Sequence, residues 1–246
     1  ATLAAGEDPM LHIRNQLADA INKLNSQRLF YQLHGLFGTA LTTNKLDLAK
    51  AASSGAAEAN YLTGANVAQA RALLGERGDE LDTLIVHPNV GFYLYQVGLL
   101  TFSTSALTSG GAVTWGGGGA GVNANSIGTF AGLNVVMDSQ VNAVQPGTSG
   151  HIKEYYCYLV KSGTILEGVQ QDLRIEADRN ILSKQDVLSV DYHTAYHILG
   201  TKWTAAADNP TNSVLGNKDN WGATYDVDLI PAVQLTVNTP LDTSTL

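Results

Sequence analysis

The sequence predicts an α+β fold built on one long helix and a few well-separated strands. Three observations carry that expectation: helical apolar spacing sustained from residue 8 to residue 38, two-residue alternation from 187 to 199, and no strand–helix–strand repetition or internal repeat. At 246 residues the chain is long enough to bury a substantial core in one large or two intimately packed domains.

Asp8 followed by Pro9 is a helix-start signal, because Asp can accept from orphan backbone N–H groups and Pro gives up no needed donor at the first helical position. Met10, Ile13, Leu17, Ala20, Ile21 and Leu24 recur at helical spacing, and Phe30, Leu33 and Phe37 extend the apolar content until Gly35 and Gly38 supply the stop. This gives a rod of about 27 residues, roughly 40 Å at 1.5 Å per residue. Residues 39–62 read as a connection with an unsteady helical turn. Val67, Ala70, Leu73 and Leu74 predict a short amphipathic helix, and Leu84 to Val86 a strand stopped at His87-Pro88, followed by a helix through Phe92, Tyr95 and Leu99. From 107 to 128 the chain is glycine-rich and nearly uncharged, the composition of a surface loop. Strands are expected at Leu133–Met137 and at Tyr155–Val160, the latter so apolar that both faces should be covered. In 187–199, Leu188, Val190, Tyr192, Tyr196 and Ile198 share one parity and Ser189, Asp191, His193 and His197 the other, which predicts a long strand with one buried face. Val233, Leu235 and Val237 alternate similarly after Pro231, which suits a strand's start or an edge.

Apolar residues make up 44% of the chain and charged residues only 15%, against roughly 25% charged in typical soluble domains. Much of the exterior is therefore expected to meet something other than water, and extensive subunit contact would account for it. The net charge is −8 with no cluster of Lys and Arg, so tight direct DNA binding is disfavoured. The single cysteine, Cys157, allows no intrachain disulfide. No window reaches the eighteen or so apolar residues of a membrane-spanning helix. The sequence opens almost at a helix start and without Met, which points to processing or excision of something upstream.

Catalytic chemistry finds little support. Gly116, Gly118 and Gly121 formally satisfy GxGxxG, but no strong strand leads in and VNANSIG, not a helix-forming run, follows. His193 and His197 have the spacing of two helical zinc ligands; on a strand they stand about 13 Å apart, too far for one metal. Cys157 sits among Tyr155, Tyr156, Tyr158 and Leu159, where a thiol stays protonated and packs as a small hydrophobe. Glu76, Asp79, Glu80 and Asp82 read as a solvated helix-to-strand turn, and neither a GxSxG elbow nor a P-loop occurs. No catalytic, cofactor-binding or metal-binding residue is expected.

The segment Gly6–Gly38, GEDPMLHIRNQLADAINKLNSQRLFYQLHGLFG, resembles the opening of the long spine helix in tailed-bacteriophage major capsid proteins of the Hong Kong 97-type fold. The order of features continues through LDTLIVHPNVGFYLYQVGLL, GLNVVMDS and YYCYLVKSGTILEG, which look like that family's axial-domain elements. IEADRNILSKQDVLSVDYHTAYHILGTKW, then NPTN, Asn220-Trp221 and LIPAVQLTVN, are similar to its return through the peripheral domain and its terminal strand. The ordered set Asp8-Pro9, Glu176 with Arg179, Asp186, Gly200, Trp203, Asn209-Pro210-Thr211 and Asn220-Trp221 carries the resemblance over nearly the whole chain. His87-Pro88 departs from the family's pattern, and the glycine loop looks like an insertion.

The resemblance implies a long spine helix, long peripheral-domain strands and an α/β axial domain. It divides the chain into residues 1–59 (peripheral, with the spine helix), 60–171 (axial, with the 107–128 loop) and 172–246 (return through the peripheral domain). The implied function is a non-enzymatic major capsid protein that assembles with itself into pentamers and hexamers of an icosahedral head around double-stranded DNA, in the virion after assembly in the host cytoplasm. Portal, scaffold or decoration proteins would be its other partners, packaged DNA would touch it only weakly, and no membrane is involved. Glu176, Arg179, Asp186, Trp203, Asn209 and Trp221 become structural or inter-subunit candidates, with Arg179 pairing a carboxylate in its own or a neighbouring subunit. The family's N-terminal arm and extended loop would precede residue 1. An encapsulin-like nanocompartment shell protein is the nearest alternative and a nucleotide-binding enzyme a remote one.

Overall fold

A computed structural model describes residues 9–49, 58–100, 126–144, 154–180, 182 and 185–241. Helix and sheet are mixed, as an α+β chain requires. The elements are α1 (Pro9–Thr39), β1 (Lys45–Asp47), α2 (Gly64–Ala72), β2 (Thr83–Val86), α3 (Pro88–Gln96), β3 (Ser126–Phe130), β4 (Leu133–Met137), β5 (Glu154–Val160), β6 (Ile165–Asn180), β7 (Gln185–Ile198), β8 (Thr201–Trp203), the helical turn α4 (Asn212–Leu215), β9 (Trp221–Ala223) and β10 (Ala232–Asn238).

Six strands form one sheet in the order β1-β10-β5-β2-β4-β3. Alternation along β5 divides the interior in two. Tyr155, Cys157 and Leu159 face one core with Val233, Leu235 and Val237 of β10, Leu84 and Val86 of β2, and Val67, Val90 and Leu94 of the covering helices α2 and α3. Tyr156, Tyr158 and Val160 face a second core with Phe30, Leu33, Leu36 and Phe37 of α1. Tyr158 lies 5.9 Å from Phe30 and 5.7 Å from Phe37 between ring centroids. Both faces are covered, so β5 reads as a continuous apolar run, as the sequence led us to expect. For the same reason β10 is buried at every position and central, and Pro231 immediately precedes its first residue.

Three expectations need correction. First, α1 runs through Gly35 to Thr39. A Cβ at Gly35 would lie 2.5 Å from the Leu215 carbonyl oxygen and 2.7 Å from Trp221 Nε1, and one at Gly38 would lie 2.5 Å from Lys218 Cβ. Close approach of residues 212–221, not termination, therefore requires these glycines. Second, the 39–62 connection contains β1, paired in parallel with β10, and Asn44 roots the turn before it by donating to the carbonyls of Val227, Ile230 and Ala232. Third, the glycine-rich stretch ends earlier than residue 128, because Ser126–Phe130 is strand β3; residues 107–125 lie outside the described residues.

Two elements reach beyond this body. Most of the described side chains in the N-terminal half of α1 are exposed, Leu24 by 49%; the whole helix of 31 residues spans about 46 Å. Strands β6 and β7 pair only with each other as an antiparallel ribbon about 50 Å long at ~3.3 Å per residue.

Candidate assembly surfaces

Register separates the ribbon's two faces. Ile165 opposite Ile198, Glu167 opposite Tyr196, Ile175 opposite Val190 and Ala177 opposite Leu188 define the inner, apolar face. At its base, Ile165 and Ile198 enter the core built on Phe30 and Leu33, and Gln32 Nε2 donates to the Tyr196 carbonyl at 3.0 Å. Farther out the cover thins: Leu188, Val190 and Tyr192 are only half-buried and Ile175 is exposed, so the buried face expected of 187–199 is complete only at Ile198. The Tyr196 hydroxyl is pushed up to about 12, first by partial burial and then by Glu167, which it bonds.

The opposite face places Leu166, Gly168, Gln171, Arg174, Glu176 and Asp178 beside His197, Ala195, His193, Asp191, Ser189 and Val187. Every one of these but Gln171 is exposed. Arg174 pairs with Glu176, and the Asp178 carboxylate accepts the Arg179 backbone N–H.

A second surface is a buttress against α1. Trp221 Nε1 donates to the Leu215 carbonyl at 2.8 Å and Asn220 Nδ2 to the Val214 carbonyl at 2.9 Å. Trp203 faces Trp221 across the β8–β9 pair, edge-on at 4.7 Å. The contact seats residues 212–221 in the space left by Gly35 and Gly38.

The six candidate residues thus fall in two places. Glu176, Arg179 and Asp186 belong to the distal half of the ribbon, where Arg179 stands opposite Asp186 in register; the Asp186 side chain lies outside the described residues. Trp203 and Trp221 stand together in the buttress, and Asn209 is exposed in the loop that leads into it. Sequence reasoning missed β6 and its exposed Leu166, Val169, Leu173 and Ile175. The available signal was indirect: a long alternating strand such as β7 needs a partner, and the antiparallel partner lies across a short turn.

Burial removes Cys157 from chemistry, pushing its thiol up, and His34, half-buried against Tyr156, is lowered by burial and then by Lys45. Among the described residues no group of three or more His, Cys, Asp or Glu side chains could hold a metal, and no helix is long and apolar enough to cross a membrane. The acidic turn is not merely solvated. Glu80 pairs with Arg77 at 3.0 Å and Lys161 at 2.9 Å, while Asp82 accepts from Thr83 and from the Ser162 backbone.

The described residues thus form a two-core body, and α1 and the β6–β7 ribbon keep apolar and charged side chains exposed outside it. The chain is similar to the major capsid protein of Bacillus phage SPP1, 26% identical over 242 residues that cover 95% of this chain and 67% of that protein. No protein-family model matches the sequence. The likeness supports a bacteriophage capsid protein with a structural, non-enzymatic role.

Proposed function

We propose that the chain is the shell-forming part of a tailed-bacteriophage major capsid protein of the Hong Kong 97-type fold, assembling with itself into pentamers and hexamers of an icosahedral head that encloses double-stranded DNA. The similarity over 95% of the chain to a major capsid protein carries this reading. The exposed arms support it, because a ribbon of two strands is marginal alone and, among the described residues, is packed on its own chain chiefly at its base.

In this reading the sheet with α2 and α3 forms the axial region, and α1 with the ribbon forms the peripheral region. Glu176, Arg179 and Asp186 act between subunits, whereas Trp203, Asn209 and Trp221 set the angle at which α1 leaves the body. With a net charge of −8, the shell wall contacts packaged DNA only weakly. Portal, scaffold or decoration proteins are its other partners. Sedimentation and electron microscopy of the purified chain test the proposal. Closed shells of uniform diameter are expected, with DNA in particles taken from infected cells. A monodisperse monomer at all concentrations would overturn it, and shells filled with an enzyme would point to a cellular nanocompartment instead.

A further inference from the structure

We propose that the outer stripe of α1 in one copy docks on the outer face of the β6–β7 ribbon in the next, with Leu24 against Val187 and Arg28 beside Asp178. The inference rests on the capsid reading and names a contact within it.

Both surfaces are left over after the chain has packed on itself. The ribbon's base uses its inner face to meet its own α1, through Ile165, Ile198 and Phe30. Its outer face keeps Val187 50% exposed, with Asp178 directly opposite in register and Asp191 two pairs along that face. On α1, Ile21 and Phe30 are buried, while Lys23, Leu24 and Arg28 are exposed. Leu24 and Arg28 are one turn apart on the same stripe.

Charge complementarity selects the occupant. On the ribbon's outer face Arg174 stands with Glu176, Asp178 and Asp191, net −2, whereas the exposed charged side chains of α1, Lys23 and Arg28 with Asp19, give net +1. Two ribbons or two helices would repel, and helix on ribbon attracts. The contact uses different patches on the two partners, so it is heterologous and continues from copy to copy until it closes on itself. It covers an exposed aliphatic side chain on each partner, Leu24 at 49% and Val187 at 50% exposure.

The test is thiol cross-linking of the full chain carrying Leu24→Cys and Val187→Cys, since the native Cys157 is buried and does not compete. With a short thiol-to-thiol linker, assembled particles should give a ladder of covalent dimers and higher multimers, absent from either single variant. Particles that form normally yet give no ladder, or only a monomer-sized product, overturn this contact and leave the capsid role intact. Failure of the unsubstituted chain to form particles overturns both. Independently, Arg28→Glu or Asp178→Lys alone should lower particle yield about tenfold, and the two together should recover most of it. Single variants that assemble like the parent, or a double variant no better than the worse single, would refute the pairing.

Discussion

The β5–β10 pair and the β6–β7 ribbon are both antiparallel and both rich in aliphatic and aromatic residues, yet one is buried throughout and the other is largely exposed. The difference lies in what covers them. α1, α2 and α3 close both faces of β5 and β10, whereas among the described residues the ribbon's cover is full only at its base and thins along one face. Apolar side chains in the body stabilise a fold the chain completes by itself, and those of the ribbon stay largely exposed among the described residues.

That contrast can be broken by mutation. In the body, Leu159→Ala removes a fully buried side chain and should cost about 2–5 kcal/mol, read as a lowered urea midpoint of the unassembled chain. Gly35→Ala should come next. Alanine favours a helix by about 1 kcal/mol, but the new methyl meets the Leu215 carbonyl and the Trp221 indole, both closer than 3 Å, and overpacking of this kind costs about 1–3 kcal/mol. A net loss with red-shifted tryptophan emission is expected; a gain in stability would show that the buttress is free to move away. In the ribbon, Ile175→Ser should change the unassembled chain's stability by less than about 0.5 kcal/mol while reducing particle yield. A large loss of subunit stability would show that the ribbon's cover comes from its own chain.

The smallest effect concerns the junction between the two regions. Arg77 first and Lys161 second hold the Glu80 carboxyl down at about 2, from an ordinary 4.5. A depressed carboxylate contributes stability above its unfolded value, and that contribution fades as pH falls from about 4.5 through about 2. Glu80→Gln should therefore flatten the acid limb of the stability profile in that window and leave pH 7 to 9 nearly unchanged in shape. The group is solvent-exposed, so the change is small. An unaltered acid limb would remove this ion pair from the body-to-ribbon connection.

Legibility in the sequence followed pattern and length instead. Strands β2, β4, β5 and β10 announce themselves because covered strands concentrate apolar residues, β7 because it alternates cleanly, and Asp8-Pro9 points to the start of α1. β6 hid because its pairing with β7 shifts register between Val169 and Gln171 and again between Gln171 and Arg174, which scrambles alternation in ILEGVQQDLRIEADRN. β1 is three residues long and owes its existence to β10, a partner almost two hundred positions away. Gly35 and Gly38 misled because a glycine admitted for space and one admitted for a left-handed turn look identical in a sequence. Among the candidate residues, Trp203 and Trp221 meet in one cluster. Glu176 finds Arg174, a neighbour on its own strand that the chosen set of residues did not include.

The notch at Gly35 and Gly38 keys the rod like a shaft seated in its hub. A slip of one residue would turn α1 by about 100° and bring His34 or Leu36 against the Trp221 indole that Gly35 now admits. Every copy of the protein then carries its rod at the same azimuth, and in the proposed shell those identical angles would let neighbouring copies share one curvature.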